Sequence, residues 1–211
     1  MTAITLTIAQ QKGGAGKTTL AAHLLAAARL RHMQAAGIDI DPQGSLSQWY
    51  EERRRHKDDP LLRFITVPGW RVRSEIELLK RSTEIIVIDS PPHAEMEAKI
   101  AIRAADIVIV PVQPSPMDVW ATKAILKLAQ DEKKPALIVL NRVPARANIT
   151  QEMMAKLQGL GVKMSAIDLG NRTIFASAMA WGQTAMEIEP ASLAALEVTA
   201  LFDEILALSS A

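Results

Sequence analysis

The chain has 211 residues, 49% of them hydrophobic and 22% charged, with a formal net charge of +1 and no cysteine. That is enough for one α/β domain with a sizeable core; the near-neutral balance gives no global polyanion signature, and the missing thiols exclude disulfides, thiolate-held Fe–S clusters and Cys-zinc sites. No apolar run reaches the roughly 18 residues of a membrane span, and the first residues read as a strand rather than a signal sequence, so a cytoplasmic location is expected.

An alternating apolar run predicts a first strand over 3–10, and apolar periodicity predicts a helix over 17–32. Between them stands Gln11-Lys12-Gly13-Gly14-Ala15-Gly16-Lys17-Thr18-Thr19. Strand, glycine loop and helix in this order make a phosphate-binding loop, in which backbone N–H groups and the helix N-terminus face a polyphosphate. Gly13, Gly14, Ala15, Gly16, Lys17, Thr18 and Thr19 are its candidate lining. Lys17 would reach the β- and γ-phosphates, and the Thr18 hydroxyl would bind Mg²⁺. Lys12, five residues before Lys17, is not needed for either task.

Further strands are predicted over 35–40, 64–67, 84–89, 106–112, 136–141 and 163–167. Helices are predicted over 45–55, 71–81, 94–104, 117–132, 150–158 and 191–208. Runs such as Ile85-Ile86-Val87-Ile88 and Ile107-Val108-Ile109-Val110 are apolar on both faces, as central parallel strands are. The alternation implies an α/β fold: one domain over 1–211, a doubly wound, mainly parallel sheet with helices on both faces. Ligands bind such sheets at the carboxyl ends of the strands.

Several polar residues fall at those ends. The second strand closes on Asp39-Ile40-Asp41-Pro42-Gln43-Gly44, two carboxylates at i, i+2 that point to one side. They could support Mg²⁺ and orient a water, or belong to an Asp-Pro turn. Asp89, closing Ile86-Val87-Ile88 before Ser90-Pro91-Pro92, has the placing of the carboxylate that holds Mg²⁺ beside a phosphate loop. Pro114, after the fifth strand, and Asn141, after the sixth, belong to the same edge. The Asn141 amide could read an adenine edge or build a turn.

Together these segments resemble the ParA/MinD group of deviant Walker-A ATPases. The resemblance rests on K-G-G-A-G-K-T-T, D-I-D-P-Q-G-S-L, V-I-D-S-P-P, V-P-V-Q-P-S-P-M-D and L-N-R-V, in that order, and covers nearly the whole chain. It is similar to short ParA-type partition and positioning ATPases without an N-terminal DNA-binding domain. The resemblance implies ATP and Mg²⁺ as ligands and a homodimer that sandwiches ATP. Lys12 would reach the partner's phosphates, Asp41 would position the hydrolytic water, and Asp39 and Asp89 would support Mg²⁺ with Thr18. It also implies slow hydrolysis stimulated by an adaptor protein, nonspecific binding of double-stranded DNA, nucleoid association in the ATP state, and a plasmid, chromosome or protein assembly as cargo.

Tentative DNA contacts are Arg142, Arg146, Lys163 and Arg172. Arg53, Arg54 and Arg55 form another basic run, which is either a second contact or a solvated face balanced by nearby acids. The segment 193–208 is apolar on one side but carries acids and no Lys or Arg, so it reads as a core helix rather than a membrane anchor. The four tryptophans are core or dimer-surface candidates, with core packing the default for each. An ATP-dependent metabolic enzyme on the same scaffold, or an ATP-gated recruiter of a secretion or conjugation apparatus, are the alternative readings.

Overall fold

The computed structural model describes residues 3–92, 95–145 and 148–209. Seven strands form one sheet in the order β3-β2-β4-β1-β5-β6-β7, and every pairing is parallel. The strands are β1 Ile4–Ile8, β2 Ala35–Asp39, β3 Leu62–Thr66, β4 Ile85–Asp89, β5 Ile107–Val112, β6 Ala136–Leu140 and β7 Lys163–Met164. The helices are α1 Lys17–Leu30, α2 Ser45–His56, α3 Val72–Leu79, α4 Glu95–Ala104, α5 Pro116–Asp131, α6 Asn148–Gln158, α7 Ile174–Ser177, α8 Ala185–Ile188 and α9 Leu193–Ser209. This is the doubly wound parallel sheet that the alternation implies.

Side-chain alternation along the strands divides the core in two. Leu6, Ile8, Ile85, Val87, Ile107 and Ile109 pack on one face with α1 and α9. Val108, Val110, Ile138 and Leu140 face the other way with α4, α5 and α6, joined by Ile38, Ile86 and Ile88 with α3. Each central strand therefore buries both faces, which is why it reads as an unbroken apolar run. Helix α1 is buried on nearly every side, Leu20 to Ala28, and its small alanines let it lie close to the sheet beneath α9.

Differences from the predicted elements have local causes. The seventh strand stops at Met164 because the Ser165 hydroxyl turns the chain, accepting from the Ile167 N–H (2.9 Å) while donating to Glu204 (2.5 Å). Segment 174–188, where periodicity predicts no element, holds α7, a 3₁₀ turn Ala178–Trp181 and α8. Turns of four residues are too short to show helical periodicity. A capping box at Thr184–Glu187 was the legible signal. The tryptophans also divide. Trp49 is core, donating Nε1–H to the Gln183 carbonyl at 3.2 Å, whereas Trp70, Trp120 and Trp181 are mostly exposed, so core packing is corrected for three of the four.

Candidate functional site

The loop between β1 and α1 crosses the carboxyl edge of the sheet. Gly14 and Gly16 take positive φ, 78° and 92°, conformations that favour glycine. Gly16 is also crowded: a Cβ there would come 2.3 Å from Asn141 Nδ2. Neighbouring strand ends lock the loop from outside. Gln113 donates to the Gly14 carbonyl (2.8 Å), and Asn141 donates to the Ala15 carbonyl (2.8 Å) while accepting from the Arg142 N–H (2.9 Å). In this structure the Asn141 amide is therefore a brace for the loop. Pro114 is buried in the turn after β5 and lines neither cavity described below.

Asp39 and Asp89 close β2 and β4 as direct register partners. Their environments separate their roles. Asp39 is fully engaged: it accepts from the Asp41 N–H (3.0 Å), the Ser47 N–H (2.9 Å) and the Ser47 hydroxyl (2.7 Å). It holds the Asp41 loop and the first turn of α2. Asp89 accepts from the Thr18 hydroxyl at 2.6 Å, but its Oδ1 is buried without a partner among the described residues. Burial pushes the Asp89 carboxyl up to about 7, opposed by the Thr18 bond and reinforced by Asp39. An orphaned buried oxygen beside a hydroxyl fits a hard divalent cation, and Mg²⁺ takes one or two carboxylates plus phosphate oxygens rather than an all-protein cage. Among the described residues, no group of three or more acidic or histidine side chains forms such a cage.

Lys17 opens α1 and is largely buried; desolvation lowers its ammonium, while Asp89 and Asp41 pull it back up. Asp41, just inside the surface, accepts from the Gln43 N–H at 2.9 Å, an Asx turn that fixes its carboxylate. Lys12 is not among the residues that line the phosphate cleft described below. Its ammonium binds the Asp118 carboxylate near the start of α5.

A cleft of about 910 Å³ joins these groups: the glycine loop, Lys17, Thr18, Thr19 and Asp41 on one side, Gln48, Glu52 and Arg55 of α2 on another, and Pro92 and Arg142 beyond. Past Gly16, Thr19 and Arg142 a smaller cavity of about 210 Å³ continues, walled by Leu20, Asn141, Leu169, Asn171, Thr173 and Phe175. The first suits a polyphosphate with its cation. The second, part polar and part apolar, suits a flat base. Of these walls the sequence pointed to Asn141; Leu20, Leu169, Asn171, Thr173 and Phe175 were not legible, the Gly170-Asn171 turn after β7 being their one trace.

The profile of the CobQ/CobB/MinD/ParA nucleotide binding domain matches residues 6–183. The chain belongs to this family. It is 26% identical over 211 residues to "Maintenance of carboxysome distribution protein A" of Halothiobacillus neapolitanus, covering 97% of both chains. Among solved structures it resembles a Cyanothece McdA variant in complex with ATP (TM-score 0.80, 16% identity, 96% of this chain and 95% of that one). It also resembles the septum site-determining protein MinD complexed with Mg-ADP from Pyrococcus horikoshii (TM-score 0.83, 17% identity, 98% and 97%). At these identities the structures establish the fold.

Of the basic candidates of this MinD/ParA-type domain, the structure brings Arg142 and Arg172 to one cavity and sets Lys163 apart from them. Arg142, exposed at φ 52°, borders both cavities. Arg172 borders the smaller one and is paired with Glu197. Lys163 begins β7 opposite Leu137, three residues and so about 10 Å before the nucleotide end of β6. Arg146 lies outside the described residues. Arg53 is buried: it donates to Glu187 at 2.7 and 2.9 Å and to the Gly182 carbonyl at 3.1 Å. Gly182 must be glycine there, since a Cβ would stand 2.1 Å from the Arg53 nitrogen. Arg54 and Arg55 are exposed and paired with Glu51 and Glu52.

Proposed function

We propose that the chain is a Mg²⁺-dependent ATP hydrolase that switches between an ADP state and an ATP-sandwich dimer, and that the ATP dimer binds nonspecific DNA and positions a cargo through an adaptor. The observation that carries this is the direction of Lys12. It is a second lysine in the glycine loop, and it reaches out to Asp118 instead of into its own phosphate cleft. A lysine held outside its own phosphate cleft has no task on its own nucleotide, and once released from Asp118 it could reach the phosphates of a facing subunit.

Lys17 and the glycine-loop N–H groups would hold the β- and γ-phosphates, and Thr18 with Asp89 would hold Mg²⁺. When bound, the cation neutralises charge that develops on the phosphate oxygens. Asp41, held by Asp39 through its backbone N–H, is placed to orient the attacking water. Lys12 from the second subunit would add positive charge to the transferring phosphoryl group, as an arginine finger does. Hydrolysis removes the phosphate that bridges the subunits, so the dimer is a timer. Asn141 braces the loop, and the cavity beside Thr19 and Asn171 would take the base. The single-domain organisation, 1–211, belongs to this reading. A protein assembly is the favoured cargo, supported by the likeness to a carboxysome distribution protein along 97% of both chains. Among the described residues no helix is long and apolar enough to cross a membrane.

Sedimentation with ATP or ADP, with and without arbitrary duplex DNA across a salt series, tests the reading. A dimer with ATP only, bound to DNA with an affinity that falls steeply with salt, is the expected result. Hydrolysis by a protein that stays monomeric in saturating ATP would overturn it in favour of a metabolic enzyme on this scaffold.

A further inference from the structure

On the side of the molecule formed by α5, α6 and β7, lysines gather away from the nucleotide cleft. Lys123 and Lys127 stand one turn apart on the exposed face of α5, with side chains about 5–6 Å apart at Cβ. They line an open groove of about 590 Å³ with Lys134, between the C-terminal half of α5 and the turn Leu160-Gly161-Val162. Lys133 precedes Lys134, and Lys163 follows Val162 at the head of β7.

The charge there is unbalanced. Lys57, Lys99 and Lys156 each have a carboxylate within 4 Å. Among the described residues Lys123, Lys127, Lys133 and Lys163 form no ion pair. Glu132, on the same segment, is turned to Arg103 and Lys99 of α4, and Glu152 of α6 is taken by Lys156. Asp131 alone of the acids here is exposed and forms no ion pair among the described residues. In a chain of net charge +1, this edge is a local concentration of cations that the global balance hides.

The floor of the groove is Leu126, Ala129, Ala136, Leu160 and Val162, and no aromatic ring lines it. Bases have nothing to stack on, so single strands gain no platform. Ammonium groups on flexible stems around a shallow floor match phosphates, which a duplex presents at a fixed spacing on its outside. β7 has only two residues, and a lysine on so short an edge opposes pairing with another strand.

We propose that this lysine groove is where the chain binds the phosphodiester backbone of duplex DNA. The inference deepens the DNA part of the function proposed above and rests on it, but assigns the contact to Lys123, Lys127 and Lys163 rather than to Arg142 and Arg172. Lys163 is at the end of the sheet away from the glycine loop, so the groove stays open when the nucleotide end faces a second subunit. A dimer carries two such grooves.

The test is binding of the full chain, with ATP and Mg²⁺, to arbitrary duplex DNA, read by fluorescence anisotropy across a salt series. Lys123→Ala/Lys127→Ala is compared with Lys156→Ala, a control on the neighbouring helix. The double variant should weaken binding to every sequence alike and reduce the slope of log K against log salt by about two. Its basal hydrolysis and melting temperature should match the wild type, and Lys156→Ala should bind normally. Wild-type affinity and slope in the double variant would overturn the groove while leaving DNA binding intact elsewhere. A wild-type protein that binds no duplex in either nucleotide state would overturn both the groove and the DNA reading. Lysine-dependent binding to anionic vesicles without binding to DNA would overturn the choice of partner.

Discussion

The Lys12 ammonium is bound by the carboxylate of Asp118, a side chain with 0% exposure near the start of α5. The same Asp118 oxygen also receives the Ser115 hydroxyl, and the other oxygen, Oδ1, is buried without a partner among the described residues. For Lys12 to serve a facing subunit it must leave this carboxylate, and Asp118 must then remain buried with less compensation. If Lys12 acts across the dimer as proposed, the pair opposes formation of the ATP dimer. Asp118→Asn keeps the shape and removes the charge. The contact it weakens is a charge-assisted bond of about 1.5 kcal/mol in each subunit, and both are lost when the dimer forms, so ATP-dependent dimerisation should tighten roughly a hundredfold, with ATP affinity of the monomer unchanged. Analytical ultracentrifugation over a concentration series measures this. A dimer constant equal to the wild type's, or weaker, would show that the pair does not oppose assembly.

Asp41 makes a contrasting case. Its carboxylate borders the phosphate cleft and is fixed only by local backbone bonds, so removing it disturbs little else. Asp41→Ala should bind ATP, accumulate as a dimer, and lose hydrolysis by roughly 10²-fold or more, the scale of a lost general base or water-positioning group. Single-turnover kinetics alongside a sizing measurement would decide it: normal turnover sinks the assignment to water positioning.

The division between what the sequence shows and what it hides follows from range. The glycine loop, the β4 carboxylate and the two-faced strands are contiguous patterns, and each is legible on its own. Asp118 was not, because its partner Lys12 lies 106 positions earlier and nothing local marks it as more than a helix-start residue. Arg53 looked like one member of a basic run. What distinguishes it from Arg54 and Arg55 is Glu187, which the fold brings from 134 residues away. The cavity beside Thr19 is built from four separate segments, so its walls had no shared motif. Trp70, Trp120 and Trp181 show the opposite failure, since apolarity alone says nothing about which surface is left open.

Arg53 yields a stability test. It is 2% exposed, lies over the Trp49 ring at 5.3 Å, and ties α2 to the turn before α8. Arg53→Ala leaves the largely buried Glu187 with Lys57 and the Thr184 N–H and hydroxyl. Breaking a buried pair from one side costs about 3–5 kcal/mol, and the remaining Lys57 partner puts the expected cost at the lower end of that range. Arg54→Ala and Arg55→Ala remove exposed i, i+3 pairs and should cost no more than about 0.5 kcal/mol each. Urea midpoints of the three variants separate these outcomes. Three equal shifts would mean that the run is a solvated face throughout and that the Arg53–Glu187 pair contributes nothing particular.

His23 gives the fold a pH dependence with a definite sign. Burial lowers its imidazole to about 4. Its Nδ1 lies 2.7 Å from the Thr19 carbonyl and its Nε2 accepts the Ala185 N–H at 3.1 Å, which fixes the neutral tautomer with the proton on Nδ1. Protonating Nε2 would set two donors against each other at the start of α8. The folded value is below the ordinary 6.5, so between about pH 4 and 6.5 the unfolded chain binds a proton that the folded chain does not. Stability is therefore complete above pH 6.5 and falls as pH drops toward 4, by about 3 kcal/mol from this residue. His23→Asn cannot titrate. It should be less stable than the wild type at pH 7.5, having lost part of the bridge between α1 and α8, and the gap should close as pH falls to 4.5. Denaturant unfolding of both proteins at intervals across that range measures the gap. Two curves that stay parallel would show that His23 does not carry the proton linkage.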